Sequence, residues 1–312
     1  MSSRANTNLK IGTLVLILLL GVIILAQFIH PQPRLVAGDF KFAFSEPSQD
    51  DKSSQNLAKI IDQNLKGKSG DYAIYIEELS VSGNRTDPEF FSLRSSEPFP
   101  AASLYKLFLM AAVLKEVEAG RLKMDSGISR SRAHLEEVFG GTDFGYEEAP
   151  EQIGYTVEEA LTRVARISDN FASIILAEKI GWNKVQDMAD ILESKNTVIK
   201  SPVSTSAGDT ANFFKLLYQK KLGSENISNQ LSDFLSLNQI NNRIPEYLPK
   251  EVKVIHKTGE LSRVRHDAGI VYLEGRPYVI VMMSQNLEGE DEAVETMAQI
   301  SEDVYEYFKN KK

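Results

Sequence analysis

The chain has 312 residues, 42% of them hydrophobic and 25% charged, an ordinary balance for a folded protein with room for one or two domains. A formal net charge of −8 argues against nucleic acid as a partner. There is no cysteine, which excludes disulfides, thiol catalysis, zinc–thiolate sites and lipid attachment of the bacterial lipoprotein kind.

Residues 1–10 read as a cytoplasmic tail, because Arg4 and Lys10 precede an apolar run with no acidic residue among them. That run, Ile11 to Ile29, has only Thr13 and Gln27 as polar side chains. As a helix it would be about 28 Å long, close to the hydrocarbon thickness of a bilayer. It is longer than a signal-peptide core, and Leu35-Val36-Ala37 makes a poor cleavage site. An uncleaved transmembrane helix over 11–29 is therefore expected, with the rest of the chain outside the cytoplasm, at the cell surface or in the periplasm. Residues 30–52 contain Pro31, Pro33 and Pro47, lack periodicity and read as a linker.

A folded domain is expected over 53–309. Ser53 to Leu65 places Leu57, Ile60, Ile61 and Leu65 on one helical face. Asp71 to Leu79 alternates as a strand, Ser80 to Pro88 reads as a turn, and Phe90 to Phe99 reads as a second strand. From Leu104 to Leu114 every position is apolar except Lys106, so a helix buried on nearly all sides is expected, entered after Pro100 and stopped by Gly120. Asp125 to Pro150 is polar and contains glycines, and no structure is assigned to Gly140 to Pro150. Thr156 opens a helix through a capping box with Glu159, and carries Val157, Ala160, Leu161 and Val164 on its apolar face. Ser168-Asp169-Asn170 follows, then helices over Phe171 to Ile180, Lys184 to Leu192 and Ala207 to Tyr218. Glu251 to Gly259, Asp267 to Leu273 and Pro277 to Ser284 read as strands, and Glu292 to Phe308 as a closing helix. The two ends (53–102 and 250–309) should form one antiparallel sheet flanked by terminal helices, and 103–249 a helical lobe. A cleft is expected between them.

Lys106 needs a reason to lie in an apolar helix. An unpaired buried ammonium costs several kcal/mol, so it finds partners or gives up its proton. Ser103 lies one turn earlier on the same face. A desolvated lysine beside a serine hydroxyl is a nucleophile with its own base. Two further triplets, Ser168-Asp169-Asn170 and Lys257-Thr258-Gly259, lie on either side of the expected cleft. About one Ser-x-x-Lys is expected by chance in such a chain, but the other two triplets in only about a few per cent of chains. The three in this order are a strong signal.

With these motifs the chain resembles the penicillin-recognising serine hydrolases, and class A β-lactamases most closely, over about Ser53 to Lys309. The resemblance implies a two-lobed α/β fold of the serine β-lactamase/transpeptidase type, and a serine acylated by a β-lactam or a D-Ala-D-Ala-type peptide. It implies Ser103 as nucleophile and Lys106 as its base, with Ser168 passing a proton to the departing nitrogen. Asn170 would hold the substrate amide, and Asp169 would brace the loop. Lys257 and Thr258 would bind the substrate carboxylate, with Arg263 or Arg265 as a further cation. Gly259 would allow close approach of substrate to the strand. The backbone N–H groups of Ser103 and Glu260 would form the oxyanion hole. No metal or cofactor is implied, and a monomer is expected.

One departure matters. The class A loop carrying Glu-x-x-Leu-Asn, whose glutamate activates the deacylating water, is missing, because Val198-Ile199-Lys200 runs almost directly into Ser204-Thr205-Ser206. Glu193, the nearest acid upstream, is expected on the preceding helix. Acylation is therefore expected and fast deacylation is not, which leaves a slow β-lactamase, a D-Ala-D-Ala peptidase-like penicillin-binding protein, or a non-catalytic peptidoglycan- or β-lactam-sensing module. His256 and His266 lack metal-ligand spacing and read as ordinary strand and turn residues.

Overall fold

The structure is a computed structural model that describes residues 54–79, 88–141, 146 and 148–311. The expected tail, transmembrane helix and linker, and the turn over 80–87, lie outside the described residues. Among the described residues no helix is long and apolar enough to cross a membrane.

The chain opens with α1 (Gln55–Leu65), β1 (Asp71–Glu78), β2 (Phe90–Leu93) and β3 (Phe99–Pro100). A 3-10 turn over Ala102–Leu104 then leads into α2 (Tyr105–Glu118). The middle holds β4 (Gly127–Ser131), α3 (Arg132–Phe139), β5 (Gln152–Thr156), α4 (Val157–Ile167), α5 (Asn170–Ile180) and α6 (Trp182–Ile191). After β6 (Ser204–Thr205) come α7 (Ala207–Tyr218) and α8 (Glu225–Leu235). The last elements are β7 (Val254–Leu261), β8 (Val264–Val271), β9 (Tyr278–Gln285) and α9 (Glu290–Asn310).

Five strands form one antiparallel sheet in the order β2-β1-β9-β8-β7, so the two ends of the domain do meet in one sheet. Its central strand β9 reads as a nearly continuous apolar run because both faces are covered. In β9, Tyr278, Ile280 and Met282 face the layer built by α1 and α9, where Leu57, Ile61, Met297, Val304 and Phe308 are buried. The alternate residues, Val279, Val281 and Met283, face the helical side with α2, α5 and α7. That alternation is the two-residue period of a strand.

Helix α2 is the centre of the second core. Every residue from Lys106 to Leu114 is buried, as its near-continuous apolar sequence requires. The capping box of α4 is formed, with Thr156 Oγ1 accepting from the Glu159 N–H at 3.1 Å and Glu159 Oε2 accepting from the Thr156 N–H at 2.7 Å.

One expectation needs correction, and two stretches hold elements that the sequence reading did not assign. Phe90 to Phe99 is not one strand, because Arg94 turns the chain at φ +51° and pairs with Asp71 and Glu97, leaving Phe99–Pro100 to pair instead with β6. The helix entry follows Pro100 as expected, through the 3-10 turn over Ala102–Leu104. The polar stretch after Asp125 forms β4, α3 and β5, held by a two-stranded ladder. Helix α8 was not anticipated, although Ser224 caps it and Ile227, Leu231 and Leu235 are buried at helical spacing.

Candidate active site

Three segments converge on one cavity of about 780 Å³. The first is the entry to α2. Pro100 pairs with Ser204, and the Ala101 N–H donates to the Val203 carbonyl at 3.0 Å, so the chain before Ser103 is tied to β6. Ala102 then adopts φ +46°, a left-handed conformation that costs a non-glycine residue about 1 kcal/mol or more. This sharp turn directs Ser103 into the cavity wall. His266 on β8 holds it from the other side. Its Nε2 lies 2.8 Å from the Pro100 carbonyl, and its Nδ1 lies 2.7 Å from the Arg265 carbonyl and 3.1 Å from the Ser284 nitrogen. Burial lowers the pKa of this imidazole to about 4.

The second segment is the α4–α5 turn. Ser168 ends α4 in the left-handed region at φ +58°, turning both its hydroxyl and its carbonyl toward α2. Asp169 caps α5 by accepting from the Ala172 N–H at 2.8 Å, and its other oxygen accepts from Arg163 Nε at 2.6 Å and Tyr146 OH at 2.5 Å. The turn is thereby locked from three directions. Tyr105, first residue of α2, joins its hydroxyl to Ser173 on α5 at 3.0 Å, and Ser173 donates to the Asn170 carbonyl at 2.7 Å.

The third segment is β7. Lys257 and Thr258 are buried, and Thr258 lines the cavity with Glu260. A Cβ on Gly259 would lie 3.2 Å from the Cβ of Ala102 and 3.1 Å from the His266 ring, so a side chain here would press on the Ala102 turn and on β8.

The buried lysines meet at Ser168. Lys106 Nζ donates to the Ser168 carbonyl at 2.5 Å and to Asn170 Oδ1 at 2.7 Å, and lies 3.4 Å from Ser168 Oγ. Lys257 Nζ donates to the same Oγ at 2.7 Å and to the Thr258 carbonyl at 2.9 Å. Burial, and then the neighbouring charge of Lys106, push the Lys257 pKa well below the usual lysine value. Two ammoniums in one dry place repel, which eases loss of the Lys257 proton. The arrangement is an amine–hydroxyl–amine chain along which a proton can move.

Two of the anticipated cations are elsewhere. Arg263 and Arg265 lie at the β7–β8 turn, away from the cavity wall. Arg263 donates to the Leu287 and Asn286 carbonyls, and Arg265 pairs with Glu290 at the start of α9. The turn directs them to the far end of the hairpin. A cation that sequence reading missed lies behind the cavity wall: Arg243 is fully buried and donates through Nη2 to the carboxylate of Glu260, which lines the cavity. Its Nε and Nη1 have no partner among the described residues. The segment carrying it is pinned by Asp267, which accepts from the Ile244 N–H at 3.0 Å, while the Asp267 carboxylate also meets His256 Nδ1 at 2.9 Å. An isolated arginine in a polar stretch has no periodic signature; only the neighbouring buried Ile244 hinted that the segment turns inward. His256 is thus not an idle strand residue, since its Nε2 also meets Asn241 Oδ1 at 3.0 Å. Glu193 lies just past α6, in a left-handed turn, and is exposed.

Among curated proteins none matches the chain. Among solved structures it is similar to PBP-A, at 24% identity and a TM-score of 0.74, covering 84% of this chain and 98% of that one. An L158E mutant of PBP-A, described as an acyl-enzyme complex with penicillin G, aligns at 23% identity and a TM-score of 0.73, covering 82% of this chain and 97% of that one. A β-lactamase from Sphaerobacter thermophilus DSM 20745 aligns at 20% identity and a TM-score of 0.72, covering 82% and 98%. At these identities the likeness establishes the fold. The family model goes further: it matches residues 54–308, and the chain belongs to the β-lactamase enzyme family.

Proposed function

We propose that the protein is a membrane-anchored serine hydrolase whose Ser103 is acylated by β-lactams or D-Ala-D-Ala-type peptides, and that it releases the acyl group slowly. The observation that carries this reading is the meeting of Lys106 and Lys257 at the Ser168 hydroxyl, beside the cavity that Ser103 lines. In this scheme a neutral amine at Lys106 takes the Ser103 hydroxyl proton as Oγ attacks the carbonyl carbon. The backbone N–H groups of Ser103 and Glu260 hold the developing oxyanion. As the C–N bond breaks, Ser168 gives its proton to the nitrogen and is resupplied from the lysine chain. Thr258, Lys257 and the unpaired N–H groups of Arg243 receive the substrate carboxylate, and Asn170 its amide.

Slow release is supported by the cavity wall. Among the described residues that line it, the sole carboxylate is Glu260, and Arg243 occupies that group. A water attacking the acyl-enzyme therefore lacks a free carboxylate base, which favours a peptidase-like penicillin-binding protein over an efficient β-lactamase. The anchor rests on the apolar run Ile11 to Ile29 and places the domain outside the cytoplasm.

The test is to incubate the full chain in detergent with a fluorescent penicillin and, separately, with a chromogenic cephalosporin. Expected is a stable adduct on Ser103, absent in Ser103→Ala, with little turnover of the cephalosporin. Rapid turnover would overturn slow release. No adduct on folded wild type would leave a non-catalytic binding module.

A further inference from the structure

Asn170 is held at two points by neighbouring residues of α2. Lys106 Nζ donates to its side-chain Oδ1 at 2.7 Å. Its main-chain carbonyl accepts from Ser173 Oγ at 2.7 Å, and that Oγ lies 3.0 Å from the Tyr105 hydroxyl. A serine hydroxyl has a single proton to donate. Ser173 gives it to Asn170, so the phenol of Tyr105 is the donor to Ser173. The chain therefore runs one way, from the first residue of α2 to the first turn of α5.

The two holds respond differently to charge. Lys106 grips Oδ1 most strongly as an ammonium, and the charge-assisted bond weakens once the amine is neutral, the form that takes the Ser103 proton. Tyr105 undergoes no such change. Its ring packs on Trp182 with centroids 6.1 Å apart, and burial raises the pKa of its hydroxyl, so the donor keeps its proton. Tyr105 lines the cavity, whereas Ser173 lies behind the wall and is fully buried, where bulk water does not compete for its bonds.

We infer that Tyr105 and Ser173 are positioning residues, which act through the Asn170 carbonyl to keep the Asn170 side chain aligned with the substrate's side-chain amide while Lys106 is neutral and its own hold is weak. The inference rests on Asn170 receiving that amide and on Ser103 being the acylated residue. It makes the Tyr105–Ser173 chain matter most for donors that carry a side-chain amide, and least for donors without one.

Benzylpenicillin, which carries such an amide, and 6-aminopenicillanic acid, which shares its nucleus and lacks it, test this with the full chain in detergent. The quantity read is the ratio of their second-order rate constants for acylation of Ser103. Tyr105→Phe, which removes only the hydroxyl, and Ser173→Ala should each lower that ratio about tenfold, the scale of a small misplacement of a substrate-holding group. The double variant should lower it no further than the stronger single change, because both break one chain. Asn170→Ala should lower it at least as far. A wild-type ratio in Tyr105→Phe, or single effects that multiply in the double variant, would overturn the positioning role alone when Asn170→Ala still lowers the ratio. A wild-type ratio in Asn170→Ala would overturn the placing of the amide at Asn170 and the inference with it. Failure of both compounds to label Ser103 would overturn the acylation itself.

Discussion

Lys257 and Ser168 are far apart in sequence, yet the Lys257 ammonium donates to the Ser168 hydroxyl across 2.7 Å, on the same oxygen that Lys106 approaches from the other side. Ser168 is therefore the point where the sheet, the central helix and the α4–α5 turn share one hydrogen-bond junction.

Ser168→Ala removes that point while sparing the rest. Lys106 keeps the residue-168 carbonyl and Asn170, and Lys257 keeps the Thr258 carbonyl. The acylation rate constant should fall about a hundredfold or more, while unfolding free energy changes by only about 1 kcal/mol. Stopped-flow acylation and urea titration measure the two, and an unchanged rate would remove Ser168 from the relay.

Arg243→Met should weaken acylation by a carboxylate-bearing penicillin about 10- to 100-fold, the worth of hydrogen bonds to an ionised group. The corresponding penicillin methyl ester, which offers no anion, should react at the wild-type rate. If both fall equally, Arg243 serves the fold and not the substrate.

His266 predicts an acid-sensitive nucleophile turn. In the unfolded chain it takes a proton near its ordinary value of 6.5, whereas burial in the fold delays this to about 4. Between those values the unfolded state binds more protons, so stability is complete above pH 6.5 and is lost as pH falls toward 4. The loss is on the order of 3 kcal/mol. His266→Gln, which cannot titrate, should lack this component, so the difference between the two proteins' urea midpoints should depend on pH inside that window and be flat above it.

Gly259→Ala tests the packing of β7 on the turn. The new methyl would press on Ala102 and His266, so stability should drop by about 1–3 kcal/mol and Ser103 acylation should slow with it. Gly127→Ala, where an added Cβ meets nothing within 4 Å, is the control and should stay within about 0.5 kcal/mol. Equal effects at both positions would remove the special role of the Gly259–Ala102 contact.

Some of this protein is written locally. The apolar run of α2, the capping box of α4 and the unbroken strand of β9 are legible because periodicity and caps are short-range energies, and the three motifs are adjacent residues whose chemistry needs no neighbour to be named. The tertiary structure alone decided which cation meets the cavity-lining Glu260, since Arg243, Arg263 and Arg265 look alike in sequence and differ only in what surrounds them once folded. It also decided what Gly259 packs against and why Ala102 is held in a left-handed turn, both consequences of β7, β8 and the α2 entry being forced into contact. Helix α3 escaped sequence reading because Leu135 is the one residue of it that is fully buried, too little apolar signal for a periodic pattern. The chain announces its chemistry through neighbours in sequence, and its geometry through contacts across the sheet, where long-range packing and hydrogen bonding outweigh local preference.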